Sequence, residues 1–249
     1  MTSPPIYLHD VAEFLRHELS VERFTKAEQG GIHRRSMRSI RRIGLALEPF
    51  PGIGDWVRQE QLDVLWLHRH WQLDMKSLPA DVGLICHHLP FDEALTIGYN
   101  AHLAKALKDA APLEPLGYKE DDRDKSLPPR PIGMIFDVEQ LDYSAYLTFI
   151  TAMFKGYERL DAGKSTTISR LAVVGAMTDV LVRQAAQRGA QLYLTGAYRK
   201  AGELAVKETG IAVIAVGHLR CEVWGLYALA KMLEERWPTI ECVVREPTS

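Results

Sequence analysis

The feature that most constrains the fold of this chain is an alternation of short apolar runs with segments of helical periodicity. Residues 40–47, 62–67, 82–86, 132–136, 169–174, 191–194, 211–216 and 241–244 read as strands. Residues 8–19, 54–61, 97–108, 140–157, 178–188, 200–208 and 221–237 read as helices, the first with Val11, Phe14, Leu15 and Leu19 on one side. Strands and helices taken in turn imply an α/β architecture with largely parallel pairing. The stretch 114–131 (EPLGYKEDDRDKSLPPRP) interrupts the alternation. It is dense in charge and proline, and reads as a linker.

Composition narrows the function. The chain has 249 residues, 47% of them hydrophobic and 25% charged, enough for one large domain or two modest ones. Thirty basic residues against 32 acidic ones give a net charge of -2, which argues against a nucleic-acid surface. The local basic run from Arg34 to Arg42 (RRSMRSIRR) is then read as a solvated loop or a partner contact. Three cysteines, Cys86, Cys221 and Cys242, form no CxxC pair, as expected of a reducing compartment. No apolar run approaches the roughly 20 residues of a membrane span. The N-terminal residues MTSPP lack the charged and apolar regions of a signal peptide. The expectation is a cytoplasmic protein without membrane contact.

The histidines carry the chemistry. His68 and His70 follow the run LDVLWL, His87 and His88 follow VGLIC, and His218 follows IAVIAVG. Each group stands at the carboxyl end of a predicted strand, where open α/β sheets form their ligand crevices. Asp92 comes four residues after His88, and Glu222 four residues after His218. On a helix that spacing sets both side chains on one face, so that they can chelate one ion. The competing reading is a first-turn carboxylate that complements the helix dipole. Imidazole with carboxylate suits zinc, manganese, iron, cobalt or nickel better than calcium or magnesium.

Three blocks of the chain resemble those of a known family. GIAVIAVGHLRCEVWGLYALAKMLEERWP resembles the closing signature of the GTP cyclohydrolase 1 type 2 family, also called NGG-interacting factor three-like metalloproteins. LICHHLPFDEALTIGYNAHLAKAL resembles that family's middle segment, and LYLTGAYRKAGELAVKETGI its strand-Thr-Gly segment. The resemblance implies two interleaved α/β domains with mixed, largely parallel sheets flanked by helices. In this chain they would be 1–120 with 217–249, and 130–216, joined by 121–129. It implies one or two divalent ions per subunit, held by His68, Asp92, His218 and Glu222. His88 would shuttle protons, or orient Asp92 from behind. It further implies a homo-oligomer, most often a hexamer, and hydrolysis of a nucleotide or related heterocycle; a metal-binding adaptor without turnover is the alternative.

The chain departs from the family at two places. The family's His-His-Pro reads His68-Arg69-His70, and its acidic residue after Thr-Gly is Ala197. Either His70 takes the vacant ligand place, or Arg69 enters the site, pairs with a carboxylate such as Asp92 and stands in for the second ion. Arg69, Arg199 and Lys200 are the candidate cations for a nucleotide phosphate.

Overall fold

A computed structural model describes residues 4–108 and 112–247; the first three residues of the N-terminus read above lie outside it. In chain order the elements are α1 (Leu8–Glu18), β1 (Gly31–Arg34), β2 (Arg42–Ala46), α2 (Ile53–Gln59), β3 (Val64–Leu67), β4 (Gly83–Cys86), α3 (Leu89–Leu95) and α4 (Ala101–Ala106). There follow β5 (Glu114–Pro115), β6 (Tyr118–Lys119), β7 (Arg130–Pro131), β8 (Gly133–Asp142), α5 (Tyr143–Phe154), β9 (Arg159–Asp161) and β10 (Thr167–Val174). The chain closes with α6 (Asp179–Gln187), β11 (Leu192–Thr195), α7 (Glu203–Thr209), β12 (Ala212–Ala215), α8 (His218–Arg236) and β13 (Glu241–Arg245). By contacts it divides into two units: 1–91 with 225–249, and 92–224. The break therefore falls inside α3, and the segment 121–129 belongs wholly to the second unit.

The first unit holds a five-stranded sheet in the order β1-β4-β3-β2-β13. β4, β3, β2 and β13 run parallel, and β1 closes the edge antiparallel. β3 and β4 are buried at every residue, which is why VLWL and GLIC are apolar throughout rather than alternating. Trp56 and Val57 of α2 pack with Leu62, Leu65, Leu67, Leu84 and Cys86 into one core. Gly44 of β2 is required by this packing. A Cβ there would lie 2.3 Å from Leu62 and 2.7 Å from Trp56.

Three arginines of the basic run are engaged on the sheet itself. Arg34 donates to the carbonyls of Val82 and Pro79, both at 2.8 Å, and Arg38 to that of Leu62 at 3.2 Å. Arg42 reaches Glu60 and Glu241. These arginines tie β1, β2 and the loops around them together.

The second unit holds a six-stranded sheet in the order β5-β8-β10-β11-β12-β9. β10, β11 and β12 are parallel, and the remaining pairs are antiparallel. Alternate residues of these strands point to opposite faces and so feed two cores. Phe136, Val173, Leu194 and Ile214 join Ile150 and Phe154 of α5 on one side; Ile135, Val174, Tyr193 and Val213 join Leu181 and Val182 of α6 on the other.

Several elements differ from the sequence reading. The helix expected at 97–108 is confined to Ala101–Ala106, because Asn100 caps its N-terminus by accepting from the Leu103 amide at 3.1 Å. β8 continues to Asp142, where it pairs with Thr167, so the helix expected from residue 140 begins at Tyr143. The segment 121–129 is a loop joining the antiparallel pair β6 and β7, with the Asp121 carboxylate accepting from the Arg123 and Asp124 amides. Its proline-rich end leads into Arg130, a buried guanidinium 2.9 Å from Glu93 of α3.

Candidate metal centre

β3 and β4 are parallel neighbours in register, with Leu67 opposite Cys86. Strands that end together bring their next residues side by side, so His68 lies against His87 and His88. The His68 ring is buried and packs 4.9 Å from both the His88 and the Phe91 rings. Its Nδ1 lies 3.1 Å from the His87 carbonyl. A carbonyl can only accept, so Nδ1 carries the proton and Nε2 presents its lone pair. That is the tautomer a metal-ligating histidine needs, fixed by the backbone behind it.

The chain then enters α3, one turn of which separates His88 from Asp92. Nitrogen atoms of His68 and His88 and a carboxylate oxygen of Asp92 all lie within 4.8 Å of one another. Asp92 is the first residue of the second unit, but it rides on the same seven-residue helix as Phe91. The His68 imidazole and the Asp92 carboxylate are donors of the kind a zinc, manganese or iron site uses, with the His88 imidazole beside them. Thr96 donates its hydroxyl to the Asp92 carbonyl at 2.6 Å and steadies that turn.

In the second unit, His218 and Glu222 open α8 and meet each other, Nε2 to Oε1, at 3.0 Å. The His218 side chain is 69% exposed and that of Glu222 only 3%. Gly217, at φ +103°, makes the turn that ends the sheet and starts the helix. Cys221 donates its Sγ–H to the Gly217 carbonyl at 3.0 Å, which leaves the thiol a structural part, pushed up by burial. Thr195 closes β11 with a fully buried hydroxyl that has no hydrogen-bond partner among the described residues.

The other histidines sort differently. His87 receives the Trp66 indole N–H on its Nδ1 at 3.2 Å, and burial drives its pKa down to about 3. It is neutral and internal, a support whose carbonyl orients His68. His70 falls with His33 and Cys86, the three presenting ligand atoms within 4.8 Å of one another. Burial holds both imidazoles below their ordinary range and pushes the Cys86 thiol up to about 12. Arg69, between the two ligand candidates, donates to Glu48 at 2.9 Å. Spacing along the chain does not point to His33, and Cys86 reads from sequence only as a buried strand residue. Gly30 and Gly31, both at positive φ, mark a backbone feature there.

The model of the family Duf34/NIF3 (NGG1p interacting factor 3) matches residues 6–248 of the chain. The chain is 24% identical to the GTP cyclohydrolase 1 type 2 homolog of Pyrococcus abyssi, covering 96% of this chain and 98% of that one. It is 24% identical to the protein of the same name from Allochromatium vinosum, covering 92% of each. Among solved structures, a protein from Thermus thermophilus superposes with a TM-score of 0.68 at 20% identity, over 97% of this chain and 98% of that one. Reduced HcgD from Methanocaldococcus jannaschii superposes with a TM-score of 0.67 at 18% identity, over 98% and 99%. At these identities the structural likeness is one of fold.

Proposed function

The chain belongs to the Duf34/NIF3 (NGG1p interacting factor 3) family, and from that premise we propose that it is a metal-dependent hydrolase of a nucleotide or related heterocycle. One or two divalent ions per subunit are held by His68, Asp92, His218 and Glu222, drawn from zinc, manganese, iron, cobalt and nickel. The observation that carries the reading is the hydrogen bond from His68 Nδ1 to the His87 carbonyl, which aims a lone pair outward from a buried ring. A bound ion supplies Lewis-acid charge and a water of lowered pKa.

The protein's own groups do the rest. Asp92 and Glu222 provide the negative charge that balances the cation. His88, half-buried beside His68 and Asp92, takes and returns a proton during the reaction. Arg199 and Lys200, exposed just beyond the Thr195-Gly196 segment, meet a substrate phosphate. The working unit is a homo-oligomer, a hexamer, in the cytoplasm.

A second reading, a metal-binding adaptor without turnover, draws support from Arg69 and Ala197 in place of a histidine and an acidic residue. An assay separates the two. Protein reconstituted with zinc or manganese is incubated with GTP, and the nucleotides are resolved by chromatography. The hydrolase reading expects consumption of GTP that stops on chelation and returns with metal. Full metal loading with no consumption of GTP or of other purine and pyrimidine nucleotides would establish the adaptor reading instead.

A further inference from the structure

The group His33, His70 and Cys86 lies outside the ligand set just described, and its three members come from three separate stretches of chain. We propose that these residues form a second metal site, distinct from the His68 group, that takes a thiophilic divalent cation, zinc foremost.

The backbone assembles the group. β1 pairs antiparallel with β4, with Gly31 opposite Cys86 and Ile32 opposite Ile85, but Arg34 pairs with Leu84. The shift makes His33 the extra residue of a bulge, a device that re-aims a side chain at a sheet edge. Just before it, Gly30 sits at φ +73° where a Cβ would lie 2.2 Å from the Cys86 carbonyl. Only glycine permits that approach, which presses the start of β1 onto the end of β4. His70 arrives from the other side, where the chain leaves β3 and turns, with the Leu73 amide donating to the His70 carbonyl at 2.9 Å. The His33 and His70 rings stand 3.9 Å apart between centroids.

The donor atoms lie within 4.8 Å of one another. A tetrahedral ion with ligands at about 2.0–2.3 Å sets its donors roughly 3.3–3.8 Å apart, so small side-chain rotations suffice for closure. Thiolate selects zinc or copper, whereas the carboxylate of the His68 group also suits manganese. Cys86 is 2% exposed and borders the apolar core, while His33 is exposed, so an ion would be anchored from within and reached from outside. Three protein ligands leave a fourth tetrahedral position for water or an exogenous ligand.

Cobalt(II) tests this directly, because a cysteine ligand gives cobalt a thiolate charge-transfer absorption in the near ultraviolet that imidazole and carboxylate do not. Metal-free protein is titrated with cobalt(II). The proposal expects the band in the native chain, its loss in Cys86→Ser, and its persistence in His218→Ala. His33→Ala, a change at an exposed position, should weaken the cobalt affinity read from the band by at least about tenfold, the scale on which even residues behind a ligand act. Cobalt binding with no such band, or a band that survives Cys86→Ser or is unaffected by His33→Ala, would overturn the assignment.

Discussion

Alanine at both His218 and Glu222 should leave a folded protein that no longer binds manganese. Manganese is the right probe because carboxylate and imidazole donors accept it, while the thiolate group around Cys86 favours softer ions. His218 and Glu222 are each other's partners at 3.0 Å, so removing both avoids stranding a buried carboxylate beside a missing imidazole. His218 is largely solvent-facing, and α8 keeps its apolar contacts through Cys221 and Trp224. Elemental analysis after dialysis should find manganese in the native chain and only background in the double variant, with unchanged circular dichroism. Native-like manganese content in the variant would remove these two residues from the ligand set.

The second large effect is expected at Phe91. Its ring is fully buried, 4.9 Å from Trp66 and 4.9 Å from His68, on the helix that carries Asp92. Phe91→Ala opens a cavity under His68 and should cost about 3–5 kcal/mol of stability. That corresponds to a fall of roughly 10 °C in Tm for a chain of this size. Because His68 loses the wall against which it is held, manganese affinity should also drop, by about 10- to 100-fold. A thermal melt and a manganese titration on the same sample check both. A variant with native affinity and a shift of only a degree or two would mean that Phe91 neither supports the fold nor positions His68.

Much of this architecture was legible in the residues because parallel strands buried on both faces leave an unbroken apolar signature. VLWL, LAVV and AVIA were found for that reason. The half-exposed edge strand GIHR carries no such signature, and β1 went unread. α3 is absent from the helices read by periodicity because its seven residues are too few for a clear pattern, although the His88-to-Asp92 spacing suits a helical turn and Pro90 is well accommodated in the first turn. The charged stretch before Arg130 resembled a linker because burial of an arginine depends on the distant Glu93.

The geometry of the candidate site was legible to a similar degree and for related reasons. Strand-end placement put His68 beside His88, and the four-residue spacings matched one turn of helix in both α3 and α8. His70 was the exception. Two-residue spacing predicts one face for His68 and His70 only while the chain stays extended, and the turn from His70 to Leu73 ends that period and sends His70 to His33 and Cys86. His33 could not have been found from spacing, since its position comes from a bulge in a strand pair.

We propose that a divalent ion is held by His68, Asp92, His218 and Glu222, and its position can be measured. Crystals grown without chelator, with diffraction recorded on both sides of the absorption edge of the metal found by elemental analysis, test it most directly. The expected result is an anomalous peak about 2.0–2.2 Å from Nε2 of His68, with nitrogen of His218 and carboxylate oxygens of Asp92 and Glu222 as further ligands. No peak at His68, or an ion there that His218 and Glu222 do not touch, would contradict it.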